Sequence, residues 1–450
     1  MNLKTKDIDM LSGPLTGKLL LFTLPIALSS ILQQLFSAAD TAIVGCFGNA
    51  DALAAVGTNT EIVALIVTIS SGLSIGANVL VASHIGKNKR EEIPRITQNA
   101  MIMALVVGII GLIAGLCAAN AVHHMINTPE NILHDAVLYL TIYMLGYPFL
   151  LLYDFGAALL RAKGDSRYPF LILVMAGVIN IILNIVFVAV FHLGVAGVSI
   201  STGISNIISA IFVIRRLYRD EMFKLSVRKL HISFKFIAEM LKVGVPSAVQ
   251  GAMFCFANIF VQASVNTFGE ITIAGSTIAV NFEYIVYYVI TAFAQTTTTF
   301  VSQNYAALQI KRCREIHGKC MIMSIVFSAI FIGVIVVFRR VVSGLFSSDP
   351  LVVDDACVRI MCVLLFESVC SIYEIPAGVL KGTGHAMLPA AGTIIGICAF
   401  RIIWICTAFK SNPVPEMLYH AFPLSWAVTI VLILAVYFVI RPLENAKMLE

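Results

Sequence analysis

Apolar residues occur along this chain in long blocks separated by short polar stretches. Twelve such blocks begin near residues 15, 53, 96, 134, 168, 194, 236, 272, 320, 352, 388 and 416. A helix of about 20 apolar residues crosses the hydrocarbon core of a membrane, which is about 30 Å thick. The blocks lack the apolar–polar alternation of strands in a membrane barrel. The pattern therefore predicts an all-α polytopic membrane protein with twelve transmembrane helices.

The composition agrees with this prediction. The chain is 59% hydrophobic and 12% charged, with a mean hydropathy of +0.92, whereas soluble domains contain about 45–50% apolar and about 25% charged residues. The net charge of +5 does not indicate a nucleic-acid partner, because the charges lie in short loops between apolar blocks. The ten cysteines are scattered without a CxxC pair, which is typical of small buried side chains.

Lys and Arg are distributed unevenly between the loops. With the N-terminus placed inside, GKNKREEIPR, RAKGDSR, RRLYRDEMFKLSVRK and QIKRCREIHGK all fall on the side of both termini. The exceptions among the 30 Lys and Arg residues are Arg339, Arg340, Arg359 and Lys410, at or near the other side, and Arg401, within a helix. Cytoplasmic loops carry such an excess. We therefore expect a multi-pass plasma (inner) membrane protein with both termini in the cytoplasm.

The chain also repeats itself. LPIALSS, from Leu24, aligns with VPSAVQG, from Val245, at an offset of 221. LRAKGDSRYP, from Leu160, aligns with LKGTGHAMLP, from Leu380, at an offset of 220. Each repeat contains six helices, and an even number gives both repeats the same orientation.

This repeat predicts two six-helix bundles related by a pseudo-two-fold axis along the membrane normal. The expected division is an N-terminal lobe over residues 1–218, a cytoplasmic linker over 219–235 and a C-terminal lobe over 236–450.

No enzyme motif fits a membrane helix. GLSIG at 72–76 matches a nucleophile elbow, which needs a strand–turn–helix context, so helix packing by small residues is favoured. His123, His124 and His134 share one outer loop, where a solvated loop is favoured over a metal site. We expect no enzymatic activity and no cofactor, and any pumping must use an ion gradient.

Polar side chains converge at one depth in the first bundle. Asp40, Asn184 and Thr202 each stand eight residues from the outer end of their helix, about 12 Å below the surface. Asn180 lies one turn deeper on the face of Asn184. A charge at this depth is costly and marks function by default. The set suits a proton or a small cation held by oxygen ligands, although a neutral Asp40 that only packs helices stays open.

The second bundle contains its own buried polar residues. Glu283 lies nearly as deep as Asp40 and could attract a cationic substrate. Glu367 and Glu374 share one face of the tenth helix. Arg401 matches Glu367 in depth, which predicts either a fixed ion pair or one that substrate or protons can break.

Two further groups follow from helix position. Pro25 and Pro246 are repeat-related and should kink the first and seventh helices, passively or as hinges. Gln34, Phe36 and Tyr143 are candidate cavity residues and could equally be packing residues.

Several stretches resemble the multidrug and toxic compound extrusion (MATE) family of transporters. They are PIALSSILQQLFSAADTAIVGCFGNADALAAVG, FVSQNYAA, INIILNIVFV, LGVAGVSISTGIS, GVLKGTGHAMLP and FRIIWICTAF. The resemblance covers nearly the whole chain, through the order and spacing of its stretches. It implies two six-helix lobes around a central cavity, and export of cationic or amphipathic organic compounds in exchange for H⁺ or Na⁺ by alternating access.

The resemblance also implies a cation site in the N-terminal lobe, formed here by Asp40, Asn180, Asn184 and Thr202. Asn184 stands where one version of the family pattern has a second carboxylate. PSAVQGAMFCFANIF in the seventh helix lacks the acid of Na⁺-coupled relatives. These two departures favour H⁺ as the coupling ion, with Na⁺ as the alternative.

The expected partners are small organic cations or drugs and membrane lipid, without an obligate protein partner. A flippase for lipid-linked oligosaccharide precursors is the alternative function. It would need a strongly basic cavity, and Arg401 is the only Lys or Arg that the sequence places deep in a helix. The antiporter is therefore favoured.

Overall fold

The computed structural model describes residues 7–126, 128–224 and 231–444, and these are almost entirely helical. Within them, twelve helices are long and apolar enough to cross a membrane. They are α1 Leu15–Phe47, α2 Ala50–Gly86, α3 Arg90–Met125, α4 Glu130–Lys163, α5 Arg167–Val190, α6 Gly194–Arg219, α7 Phe234–Phe268, α8 Glu270–Ala306, α9 Ile310–Val337, α10 Pro350–Gly382, α11 Met387–Phe409 and α12 Pro415–Ile440. The prediction of an all-helical, twelve-span membrane protein is confirmed.

Helix α9 begins well before the apolar block that predicted it. The block starts near residue 320, whereas the helix starts at Ile310. The added turns contain the basic stretch IKRCREIHGK, in which Cys313 and Ile316 are buried. Hydropathy locates the part of a helix that lies in lipid, but the hydrogen-bonded helix continues into the polar region.

Three of the helices contain a π-helical or 3₁₀ segment of five residues or more. Helix α5 becomes a π-helix over Ile185–Val190. Helix α11 contains π-helical segments at Ile394–Ala399 and Ile405–Phe409, and α10 narrows to a 3₁₀-helix over Leu364–Cys370. Such departures inside a helix frequently mark functional sites.

The backbone repeats with the sequence. Gly164 (φ +111°) and Gly384 (φ +86°), which are 220 residues apart, both adopt left-handed conformations at helix ends. The π-helical segments that start at Ile185 and Ile405 have the same separation.

The described residues divide into two compact units. The first contains the described residues up to Asp9 together with Leu28–Ala248, and the second contains Met10–Ala27 and the described residues from Val249 onward. Two of the three changes of unit occur inside a helix, two residues after the repeat-related prolines Pro25 and Pro246. Residues 225–230 of the predicted linker lie outside the described residues.

The two units differ from the predicted lobes because packing, not sequence duplication, defines them. In the second unit, Phe22 of α1 contacts Phe300 of α8 with ring centroids 5.3 Å apart. Thr23 and Thr296 share a hydrogen bond of 2.8 Å. The first part of α1 is therefore built into the second unit.

The first part of α7 is built into the first unit through glycines of α2. A Cβ atom on Gly72 would lie 2.5 Å from the Cα of Ala248, and one on Gly76 would meet the carbonyl oxygen of Met240. The GLSIG motif is thus a helix-packing surface, as favoured from the sequence. The hydroxyl of Ser74 donates to the carbonyl of Ser71, 2.7 Å away.

Candidate functional site

The side chains of Asp40, Asn180, Asn184 and Thr202 meet in the first unit. The amide nitrogen of Asn184 donates to Oδ1 of Asp40 at 2.5 Å. The hydroxyl of Thr202 donates to the other carboxylate oxygen at 3.4 Å. Asn180 Nδ2 donates to the Thr202 hydroxyl, and Asn184 Nδ2 donates to Asn180 Oδ1, both at 3.3 Å. Helices α1, α5 and α6 are thereby joined by one polar cluster, which we call the Asp40 cluster.

Asn184 holds a special place in the Asp40 cluster. It is the last α-helical residue of α5, and the π-helix begins with the next residue. Both amide protons are used, but its carbonyl oxygen Oδ1 is buried without a hydrogen-bond partner. A buried acceptor that stays unsatisfied costs about 1–3 kcal/mol, so this oxygen is available to accept a hydrogen bond from a further donor.

The surroundings of the Asp40 cluster are aromatic. Tyr139 of α4 lies close enough to Asp40 to interact with it electrostatically, and it stacks on Tyr143 with centroids 6.2 Å apart. Tyr143 is only 5% exposed. Phe36 and Gln34 are half-buried, and the Phe36 ring lies against Gly177 of α5.

The second unit corrects the prediction for Glu283. This side chain is buried and forms a two-pronged ion pair with Arg359, with N–O distances of 2.8 and 2.9 Å. Arg359 also donates to the Ser276 hydroxyl at 2.6 Å and lies over the rings of Tyr419 and Phe422. Glu283 is therefore neutralised by a cation and is not a free carboxylate for a cationic substrate.

The partner of Glu283 was misplaced by the sequence pattern. Arg359 had been expected at or near the outer side, but it is 3% exposed and lies nine residues inside α10. A charged residue near the edge of an apolar block carries no signal of its depth. Here that depth is about 13 Å, so Arg401 is not the only deep basic residue.

The expected pairing of Arg401 with Glu367 is wrong. Arg401 is buried, and it donates to the Ser425 hydroxyl at 3.2 Å and to the Asn258 side-chain oxygen at 3.0 Å. Its guanidinium lies 4.1 Å from the centroid of Phe422. Depth in the membrane alone does not predict this contact, because two residues at the same depth can face different neighbours.

The two acids of α10 have different surroundings. Glu367 lies in the 3₁₀ segment, and its Oε2 atom is buried without a hydrogen-bond partner. Glu374 lies in the α-helical segment Ser371–Gly382 that follows. It is buried and accepts a hydrogen bond of 3.0 Å from the Tyr287 hydroxyl.

Sequence reasoning missed Asp154, a buried acid deep in a helix of the first unit. Asp154 of α4 is 9% exposed and accepts a hydrogen bond of 2.6 Å from the hydroxyl of Ser70 on α2. It stands nine residues before the end of α4 at Lys163, about 13 Å deep. Counting depth from the helix end, as for Asp40, would have found it.

The second repeat carries no copy of the Asp40 cluster. At the repeat offsets of 221 and 220, Asp40 falls on Val261, Asn180 on Phe400 and Asn184 on Trp404. Phe400 and Trp404 stack with centroids 5.9 Å apart. The backbone arrangement is repeated, but its polar chemistry occurs in one copy.

Comparisons with known proteins agree with the duplicated architecture. The MatE family model matches residues 25–186 and 246–406, two segments at the offsets of the internal repeat. The probable multidrug resistance protein YoeA of Bacillus subtilis is 23% identical over 429 residues, which cover 93% of this chain and 92% of the relative. The probable multidrug resistance protein NorM of Thermotoga maritima is 24% identical over 397 residues, covering 86% and 84%.

The fold has a close match among solved structures. A multidrug resistance MATE family transporter of the MOP superfamily, solved in an outward-facing conformation, superposes with a TM-score of 0.90. It is 20% identical, and the match covers 98% of this chain and 99% of that one. Twelve candidate spans, a matching fold and a family model over both repeats lead to one conclusion. The chain belongs to the MatE family, the multidrug and toxic compound extrusion family of membrane transporters.

Proposed function

We propose that this protein is a secondary active antiporter of the plasma membrane. It exports cationic or amphipathic organic compounds in exchange for H⁺ by alternating access. Its similarity to relatives named as probable multidrug resistance proteins supports the substrate class. The excess of Lys and Arg on the side of the termini supports an orientation with both termini in the cytoplasm.

The observation that carries the proposal is the hydrogen bonding of Asp40. Its carboxylate accepts two hydrogen bonds, from Asn184 and Thr202. Its neighbours in the Asp40 cluster are two amides and a hydroxyl, none of which titrates. Asp40 is thus the one group of this cluster that takes up or releases a proton.

The Asp40 cluster offers Asp40 a hydrogen-bond partner in both of its protonation states. With Asp40 ionised, the Asn184 amide nitrogen faces it as a donor. A protonated Asp40 needs an acceptor instead, and a half-turn of the same amide would present Oδ1, which otherwise has no partner. Because Asn184 Nδ2 also donates to Asn180 Oδ1, this half-turn would change the bonds between Asn180 and Asn184 as well as those between α1 and α5.

This change suggests how proton and substrate are coupled. Facing the cytoplasm, ionised Asp40 favours capture of a cationic compound. Facing outward, protonation of Asp40 removes that charge and rearranges its bonds to α5 and α6, and the compound leaves. The proton and the organic cation thus compete for one negative charge.

Sodium is the less favoured coupling ion. Na⁺ would need oxygen ligands, yet Asn180 and Asn184 both turn amide N–H groups toward the oxygens of the cluster. A single carboxylate also offers less charge than a pair. The flippase alternative is not favoured, because the additional deep cation, Arg359, is neutralised by Glu283.

Asp40→Asn tests the proposal. The substitution keeps the side-chain size and removes the titrating group, so we expect proton-driven efflux of a cationic dye to fall at least tenfold. The measurement is dye efflux from energised cells, repeated in liposomes of purified protein under an imposed pH gradient and then an imposed Na⁺ gradient.

Asp51→Asn is the matched control. Asp51 lies in the first turn of α2 outside the Asp40 cluster, so efflux should be unchanged. Proton-driven efflux that survives Asp40→Asn at the original rate would exclude Asp40 as the coupling group. Efflux from liposomes that responds only to Na⁺ would exclude proton coupling.

A further inference from the structure

A cleft opens in the second unit beside the point where α12 ends. It encloses about 460 Å³. Arg314, His317 and Met321 of α9 line one side, and Leu434 and Tyr437 of α12 line the other. The inner segment of α10 packs against both helices, and its Pro376 also lines the cleft.

The turn after α12 closes one end of the cleft. Arg441 adopts a left-handed conformation (φ +47°) that ends the helix, and the chain then folds back through Pro442 and Leu443. The carbonyl of Leu443 accepts a hydrogen bond of 3.1 Å from Arg314 Nη2. Tyr437 and His317 meet across the cleft, with the hydroxyl 3.3 Å from Nδ1.

The cleft is polar at its mouth and apolar further in. Arg314 is the fifth residue of α9, about 6 Å from the helix start, whereas Met321 lies about 16 Å from it. The outer faces of the same helices are apolar and exposed, as at Ile322 (65%) and Val431 (67%). The mouth therefore lies at headgroup depth, and the apolar part continues into a surface suited to acyl chains.

The charged side chains that line the cleft sum to a positive charge, because Arg314 and Arg441 stand against the carboxylate of Glu444. Arg441 is paired with Glu444 at 3.5 Å. Among the described residues, no ion pair within 4 Å involves Arg314. The adjoining helix start also carries Lys311 and Arg312, so the local potential is positive.

We propose that this cleft binds an anionic phospholipid, with the phosphate at Arg314 and an acyl chain along Met321 and Leu434. Basic recesses between membrane helices on the cytoplasmic side bind anionic headgroups. Guanidinium groups favour phosphate because they donate several hydrogen bonds in a planar fork. Tyr437 adds a ring that is typical of the membrane interface. The site rests on the proposed cytoplasmic placement of the termini, but on no step of the transport proposal.

Lipid titration of the purified full chain tests this site. Native mass spectrometry would follow the binding of phosphatidylglycerol and, separately, of phosphatidylcholine, which has no net charge. We expect a preference for phosphatidylglycerol that Arg314→Gln weakens about fivefold, since one Arg near a membrane surface has an effect of that size. Arg441→Gln should weaken it less, because Arg441 is already paired.

Lys319→Gln is the matched control, since it removes a positive charge from the same helix without lining the cleft. Equal binding of both lipids, or equal losses in Arg314→Gln and Lys319→Gln, would overturn the proposal. So would displacement of the lipid by millimolar inorganic phosphate or glycerol phosphate, which would identify a soluble phosphate as the ligand. If Arg314→Gln does not fold, the unequal effects of Arg441→Gln and Lys319→Gln decide the question.

Discussion

The functional proposal for this chain depends on the environment of a single carboxylate, that of Asp40. Asp40 is polar in an apolar helix, and its partners come from two other helices. Because Asp40, Asn184 and Thr202 stand seven, six and eight residues from the ends of their helices, sequence counting was enough to place them at nearly one depth. Counting could not show that Asn184 donates through its side-chain nitrogen and leaves its side-chain oxygen without a partner. The orientation of a side-chain amide depends on all of its neighbours.

The charged residues of the second unit show the limit of the same counting. Glu283 and Arg401 were recognised as deep, but their partners were not. Arg359 was missed as the partner of Glu283 because it lies near the start of an apolar block. Arg401 bonds Asn258 and Ser425, both neutral, and neutral partners cannot be found by looking for opposite charges.

Asn184→Asp should make efflux respond to sodium. The new carboxylate would stand against Asp40 at the present contact of 2.5 Å, and two negative charges so close require a proton or a cation between them. We expect an imposed Na⁺ gradient at constant pH to stimulate dye efflux at least fivefold, measured in liposomes.

The double variant Asp40→Asn/Asn184→Asp is the control, since it has one carboxylate in exchanged position. It should not respond to Na⁺. A sodium response equal in the single and double variants would show that charge density is not what selects the ion.

At the scale of whole helices, packing depends on how closely two backbones can approach each other. The first part of α7 reaches α2 at Gly72 and Gly76, where any side chain would meet backbone atoms of α7. Association of membrane helices depends on such small residues, because lipid is as apolar as the side chains. The sequence indicated small-residue packing at GLSIG, but it could not name the helix that packs there.

Gly76→Ala should destabilise the protein. The added methyl group would overlap the carbonyl oxygen of Met240, and neither helix backbone can move aside without breaking its own contacts. We expect an apparent melting temperature lowered by at least 5 °C, measured by thermal unfolding in detergent, since overpacking costs about 1–3 kcal/mol.

Gly57→Ala in the same helix is its control. Apart from the backbone of its own helical turns, no atom lies within 4 Å of the added Cβ atom, and Ala favours a helix by about 1 kcal/mol over Gly. This variant should be as stable as the wild type or more so. Equal destabilisation by both substitutions would show that the loss of glycine, not the contact, matters.

At the scale of the whole molecule, the internal repeat made most of the fold predictable. Hydropathy located twelve helices, and the repeat divided them into two sets of six. The compact units depart from that division at Pro25 and Pro246, since a helix can begin in one unit and end in the other. Sequence similarity between the repeats indicates their common origin, but it does not predict which helices pack against each other.

The number of titrating groups in the Asp40 cluster predicts the stoichiometry of exchange. With Asp40 as the one acid of this cluster, each cycle should move one proton, so exchange for a monovalent organic cation transfers no net charge. A pH gradient of one unit should then support about a tenfold gradient of the compound. The membrane potential, about 2.3 kcal/mol per charge at 100 mV, should add nothing.

Liposomes with the potential clamped by potassium and valinomycin would measure this. A zwitterionic substrate is the internal control, because its exchange for one proton does move charge and should respond to the potential. A monovalent cation whose accumulation rises with the potential would mean that more than one proton moves per cycle, and that an acid outside the Asp40 cluster takes part.

The π-helical segments that begin at Ile185 and Ile405 carry information about the history of the chain. They start at equivalent positions of the two repeats, although the preceding side chain is the amide of Asn184 in one and the indole of Trp404 in the other. Neither side chain can be the cause of a feature that both share. The widened turn therefore belongs to the six-helix ancestor, and the polar and aromatic side chains that now distinguish the two copies arose on a backbone that already had it.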